Sequence, residues 1–158
     1  MWRGVLLQGM HTRGELQIDP PVIGSGRECS ALEIVIPFTE WAVAEAVMKR
    51  AAAYAEKLDV SLMLVAVHTV PYPMPFGCPA LVHAHLVEQL VDLASRSPLP
   101  VNPQVVLARS FEEGFRHALK PESTVLVGTR KRVWKTSEER LAAALAHAGH
   151  HVMLVHVE

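Results

Sequence analysis

The stretch from Val125 to Ser137, VLVGTRKRVWKTS, holds the residues best suited to chemistry: a short apolar run, one glycine, then Arg130, Lys131, Arg132 and Lys135 around Trp134. An apolar strand that ends in glycine just before a helix is the arrangement of a phosphate-binding turn. Glycine there lets backbone N–H groups approach phosphate oxygens and adopt positive φ. The cations offer a second grip on an anion, beside the N-terminus of the next helix, whose dipole favours negative charge. The plainer reading of such a charge run is a solvated surface loop, and that reading leads. Trp134 can stack on a base, but it serves equally as an anchor to the body or to a partner.

Nine histidines raise the question of a metal. His83 and His85 fall on a predicted helix, where residues two apart point about 200° from each other and cannot chelate one ion. His150 and His151 open a predicted strand and face opposite ways. No cysteine or carboxylate stands near them at ligand spacing, so no metal site is expected. His68, at a strand's carboxyl end, is the most site-like of the nine, with a packing role as its leading explanation. No nucleophile elbow, Walker glycine loop or His-Glu-x-x-His occurs. Ser110 and Ser137 read as helix caps, and Cys78, in a proline-rich loop, has no base beside it in the pattern. The chain therefore reads as non-enzymatic, weak ATP hydrolysis being the catalytic option left open.

The bulk numbers fit one domain. The chain has 158 residues, half of them apolar and a fifth charged, enough for a single core. A formal charge of −1 argues against a general nucleic-acid binder, so the basic cluster needs a local explanation. Two cysteines without paired spacing suit a reducing compartment. No run approaches the roughly 18 apolar residues of a membrane span, and no signal-peptide pattern is seen. The expectation is a cytoplasmic protein without membrane insertion.

The elements that must position these residues are legible as texture. Residues 1–31 carry dense turn signals, Asp19-Pro20-Pro21 and Gly24-Ser25-Gly26, and one extended piece, Glu15 to Ile18. They are expected to form an N-terminal arm that packs on the domain edge or contacts a protein partner. From 32 to 158 the pattern is that of one α/β domain. Glu33 to Phe38, Ser61 to Val67, Gln104 to Ala108, Thr124 to Val127 and Val152 to Val157 read as buried strands. Between them, amphipathic helices are predicted over 40–58, 80–95, 111–119 and 137–148, with Thr39 capping the first and Ser110 the third. Ser137-x-x-Arg140 lacks the acid of a capping box, and Gly149 suits the C′ position of the last helix. Strand and helix alternate throughout, which gives an open five-stranded parallel sheet with helices on both faces, Rossmann-like in topology. In such sheets a ligand lies past the carboxyl ends of the strands, where strand order reverses.

IVIPFTE, SLMLVAV, VLVGTR and LAHAGHHVMLVHV, in this order and spacing, resemble the universal stress protein family over about four-fifths of the chain. The resemblance implies the topology of the adenine nucleotide alpha-hydrolases and a homodimer paired through the last strand. One branch of the family binds ATP through Gly-x-x-Gly, a spacer, then Gly followed by Ser or Thr; another lacks that loop. Here Gly128 matches the first glycine, Lys131 replaces the second, and no glycine–hydroxyl pair precedes the helix. Thr39 stands where the family has an aspartate. The site residues implied are Thr39, Val67, Gly128, Arg130 and Lys131, and the branch without the loop fits better. ATP or AMP remains the alternative occupant, with no other cofactor expected.

The closing strand, Val152 to Val157, is apolar on an expected sheet edge, where an uncovered strand invites aggregation. A two-fold contact with its copy would cover it. The sequence thus predicts a homodimeric, non-enzymatic binding or regulatory module acting in stress response. A nucleotide or anion binder that uses the basic loop 128–135 is the alternative.

Overall fold

The computed structural model describes residues 17–18, 32–55, 57–76 and 80–158. The turns at Asp19-Pro20-Pro21 and Gly24-Ser25-Gly26, and both Cys29 and Cys78, lie outside the described residues. In chain order the elements are β1 (Gln17–Ile18), β2 (Leu32–Phe38), α1 (Trp41–Tyr54), β3 (Val60–Thr69), α2 (Ala80–Ser95), β4 (Val101–Ala108), α3 (Phe111–Ala118), β5 (Thr124–Arg130), α4 (Ser137–His147) and β6 (His151–Val157).

Five parallel strands, β2 to β6, make the open α/β sheet that the alternating texture predicts, with two helices on each face. The spatial order is β1-β4-β3-β2-β5-β6, so chain order reverses between β2 and β5. The short β1 runs antiparallel to β4, Gln17 opposite Leu107 and Ile18 opposite Val106.

Alternation along the strands feeds two cores. Ile34, Ile36, Leu62, Leu64, Leu126 and Val155 face α1 and α2. Val35, Val65, Val67, Val125 and Val127 face α3 and α4. Each central strand is buried on both sides, which is why it reads as a continuous apolar run. Leu90 and Leu93 bring α2 into the first core, and Phe115 anchors α3 in the second.

Several boundaries differ from the pattern-based expectation. Helix α1 stops at Tyr54, not Leu58, because the chain must turn at Ala55 to enter β3 at Val60. Tyr54 and Leu58 are consequently exposed. The N-cap of α1 is Glu40 without a side-chain cap bond, so Thr39 does not cap it. Pro37 lies inside β2, paired with Val65. The cap of α4 is Thr136: its hydroxyl accepts from the Glu139 N–H while the Glu139 carboxylate accepts from the Thr136 N–H. A capping box is therefore present, with Thr136 rather than Ser137 at the N-cap. Ser110 caps α3 as expected, accepting from the Glu113 N–H, although the Glu113 carboxylate takes the Arg109 N–H instead of completing a box. Gly149 has φ of 95°, the left-handed C′ conformation that its position after α4 calls for. Among the described residues no helix is long and apolar enough to cross a membrane.

Candidate functional site

The reversal of strand order makes the gap between β2 and β5 the natural ligand crevice. These two strands pair only at Ile34 with Thr124 and Val35 with Val125, whereas β5 and β6 stay in register from Thr124 to Arg130. Pro37 has no N–H to offer a neighbour, and past Val35 the two strands run on unpaired with each other. A cavity of about 350 Å³ opens there. Its walls come from the start of α1 (Glu40, Val43), the end of β5 (Thr129, Arg130), the loop (Arg132, Trp134, Lys135) and the start of α4 (Thr136, Ser137, Glu138).

The predicted glycine turn is built differently from a phosphate cradle. β5 continues through Gly128 to Arg130, opposite Val155 to Val157 of β6. Gly128 is buried inside the strand, and a Cβ on it would lie 2.5 Å from both Val43 Cγ1 and Val47 Cγ2 of α1. Its lack of a side chain is what lets α1 pack closely on β5. The loop that follows is closed at its base by a hydrogen bond of 2.9 Å between the hydroxyls of Thr129 and Thr136. Thr129 is fully buried. Because Thr136 also caps α4, one hydroxyl pair fixes both the loop and the helix that begins after it.

Arg130 reaches across the crevice to Glu40, Nη2 to Oε1 at 2.7 Å. This ion pair ties the end of β5 to the start of α1, but both side chains are about half exposed. A pair so placed is worth roughly 0–1 kcal/mol, so an incoming anion can displace it at little cost. Glu40 and Glu138 bring negative charge to the N-termini of α1 and α4, the positions an anion would otherwise favour. Arg132 and Lys135 line the cavity; Lys131 is exposed and does not.

Of the expected site residues, Arg130 alone lines the cavity. Thr39 is half-buried at the bend before α1. Val67 lies in the core, where its methyls occupy the space above Gly114 of α3: a Cβ there would come within 2.5 Å of Val67 Cγ1. His68 is half-buried in β3 opposite Leu107 of β4. Among the described residues no three His, Cys, Asp or Glu side chains gather closely enough to hold a metal ion.

A second constellation escaped the sequence. At the end of β4, Arg109 Nη1 donates to the carbonyls of Val70, Pro71 and Met74 at 3.1, 3.1 and 2.7 Å. Its guanidinium also sits over the rings of Tyr72 and Phe76, at 4.8 and 4.2 Å from their centroids. The proline-rich loop after β3 is thus wrapped around a cation from the neighbouring strand. The available signal was an arginine at one strand end facing aromatics after the adjacent strand. Pairing them requires knowing that β3 and β4 are neighbours.

No family model matches the sequence, and no curated protein does so. Solved structures do resemble the fold. A universal stress protein from Archaeoglobus fulgidus superimposes with a TM-score of 0.57 at 17% identity, over 79% of this chain and 93% of that one. A universal stress protein in complex with cAMP gives 0.50 at 14% identity, over 82% and 100%. At these identities the likeness is one of architecture.

Proposed function

We propose that the chain is a universal-stress-protein-like module that acts by binding rather than catalysis, in a stress response, as a homodimer paired through β6. The observation that carries the non-catalytic reading is the state of the crevice. The glycine of the turn is used for helix packing, the strand-end arginine is engaged by Glu40, and among the described residues that line the cavity there is no cysteine or histidine. Among the described residues lining it, the hydroxyls belong to Thr129, Thr136 and Ser137; the first two bond each other, and Ser137 donates to Glu138. Phosphate release from ATP–Mg²⁺ above a no-protein control would overturn the reading.

A specific observation favours nucleotide or anion binding as the second reading. Arg132, Lys135 and Trp134 surround a cavity of about 350 Å³, within the roughly 300–1,000 Å³ of small-molecule sites. A solved structure with this architecture is in complex with cAMP, which makes cAMP a ligand to test. Thermal unfolding with and without ATP–Mg²⁺, and separately with cAMP, distinguishes the two. A ligand at a hundred times its Kd adds about 2.7 kcal/mol to the native state and raises the midpoint by several degrees. If the module binds no nucleotide, neither addition moves the midpoint. A rise that Arg130→Ala with Lys135→Ala abolishes establishes the second reading.

A further inference from the structure

We propose that the end of the molecule carrying the strand C-termini is a docking face for an anionic lipid surface, led by the loop from Arg130 to Lys135. Because β2 to β6 are all parallel, the loops after β3, β4 and β5 emerge at the same end. That end displays large apolar side chains on separate tips: Val133 is 95% exposed and Trp134 84%, with Tyr72, Met74, Leu81 and Phe111 exposed on the neighbouring loop and first helical turns. Exposed apolar side chains also occur at Leu32, Tyr54, Leu58, Met153 and Leu154, but Val133 and Trp134 are flanked by the cations of their own loop.

Charge coincides with this cluster. Lys131, Arg132 and Lys135 flank Val133 and Trp134 and make no hydrogen bond or ion pair among the described residues. The N-termini of α1 to α4 point the positive ends of their dipoles the same way, as a parallel α/β sheet requires. Of the nearby acids Glu40 is ion-paired by Arg130; Glu113, Glu138 and Glu139 accept hydrogen bonds from neutral donors and keep their charge, and Glu112 is exposed. With a net charge of −1 the chain has no general attraction for anions, so the basic loop would set the orientation of approach.

The shape favours a bilayer over an acidic protein. A protein partner gains from anchors that fill matching pockets, and its contact surface is packed and desolvated. Here the exposed apolar groups sit on separate loops and helix starts. A lipid interface accepts protruding tips without a complementary shape, and tryptophan with flanking lysine and arginine suits the headgroup region. The contact would be peripheral, with apolar tips entering the headgroup boundary and cations held by anionic lipid.

The test is co-sedimentation of the full chain with phosphatidylcholine vesicles, with and without phosphatidylserine. Binding is expected with phosphatidylserine only, and should collapse between about 0.1 M and about 0.5 M salt as charge is screened. Each cation near such a surface contributes roughly a fivefold gain, so replacing Lys131, Arg132 and Lys135 with alanine should weaken partitioning on the order of a hundredfold. Trp134→Ala should weaken it too. Neither variant should move the thermal midpoint, since these side chains are exposed. Subtracting the fluorescence of Trp134→Phe isolates the Trp134 signal, which should shift blue with phosphatidylserine vesicles. Failure to sediment with them, equal binding to both vesicle types, or binding that neither variant reduces would overturn the proposal. So would binding to polyglutamate without binding to vesicles, which would mark the face as a protein contact.

Discussion

At position 128 a hydrogen atom occupies the place where any other residue would put a methyl group between two valines. Val43 and Val47 are buried and β-branched, so neither can swing aside easily to admit a Cβ at 2.5 Å. Gly128→Ala is expected to cost about 1–3 kcal/mol through overpacking, read as a lower urea midpoint at unchanged slope. If Gly128 instead served a bound phosphate, the alanine variant would unfold normally and lose only ligand binding. The sequence marks this glycine as special, but the reason lies in residues of α1 distant along the chain. For the same reason Val67 looks like a crevice residue in the sequence and lies in the core, packed on Gly114. Arg109 is the converse case. Its bonds to three carbonyls of the proline-rich loop depend on β3 and β4 being neighbours, which no local pattern states.

The start of α4 shows what an element needs beyond its hydrophobic period. Leu141 and Leu145 give the helix a buried face that can be read directly from their spacing. The first residue of the helix is harder to read, because Thr136 and Ser137 are adjacent hydroxyl residues and both precede acids. Only the structure shows that Thr136 faces the Glu139 N–H while Ser137 donates to Glu138 on the surface. Thr136→Ala is expected to cost about 0.5–2 kcal/mol for the lost cap. It also removes the partner of the fully buried Thr129 hydroxyl, so its cost should lie in the upper half of that range. Ser137→Ala should change stability by no more than about 0.5 kcal/mol, as exposed substitutions do. Chemical denaturation of the two variants side by side checks the assignment; equal costs would mean the box is not formed in solution. Similar reasoning covers α1, whose apolar stripe extends past the point where the chain must turn into β3, leaving Tyr54 exposed at the helix end and Leu58 exposed beyond it.

Over the whole molecule, the two sheet edges are treated differently. On one side β1 pairs with β4 and occupies that edge. On the other, the outer side of β6 has no strand against it among the described residues, and Met153 and Leu154 are about half exposed. The face next to this edge is not filled either: Leu32, Tyr54, Leu58 and Met153 line an apolar hollow of about 320 Å³ between α1 and β6. The parallel sheet was visible in the sequence as buried runs alternating with amphipathic helices, but the strand order was not, since texture does not say on which side each crossover lands. The apolar character of the last strand did indicate an edge in need of cover. A two-fold axis beside β6 would pair it antiparallel with its copy, satisfy its free backbone groups and bring two such hollows close together. Lysine at an edge strand opposes this kind of pairing, by charge repulsion across the axis and by the cost of desolvating the ammonium. The chain is therefore expected to run at twice its single-chain mass in size-exclusion chromatography with light scattering at micromolar concentration. The double variant Met153→Lys, Leu154→Lys should run at the single-chain mass and keep its circular dichroism spectrum, because both side chains are already half exposed in the lone chain. A wild-type monomer under these conditions rules out the β6 contact. A double variant that remains dimeric places the interface elsewhere on the surface.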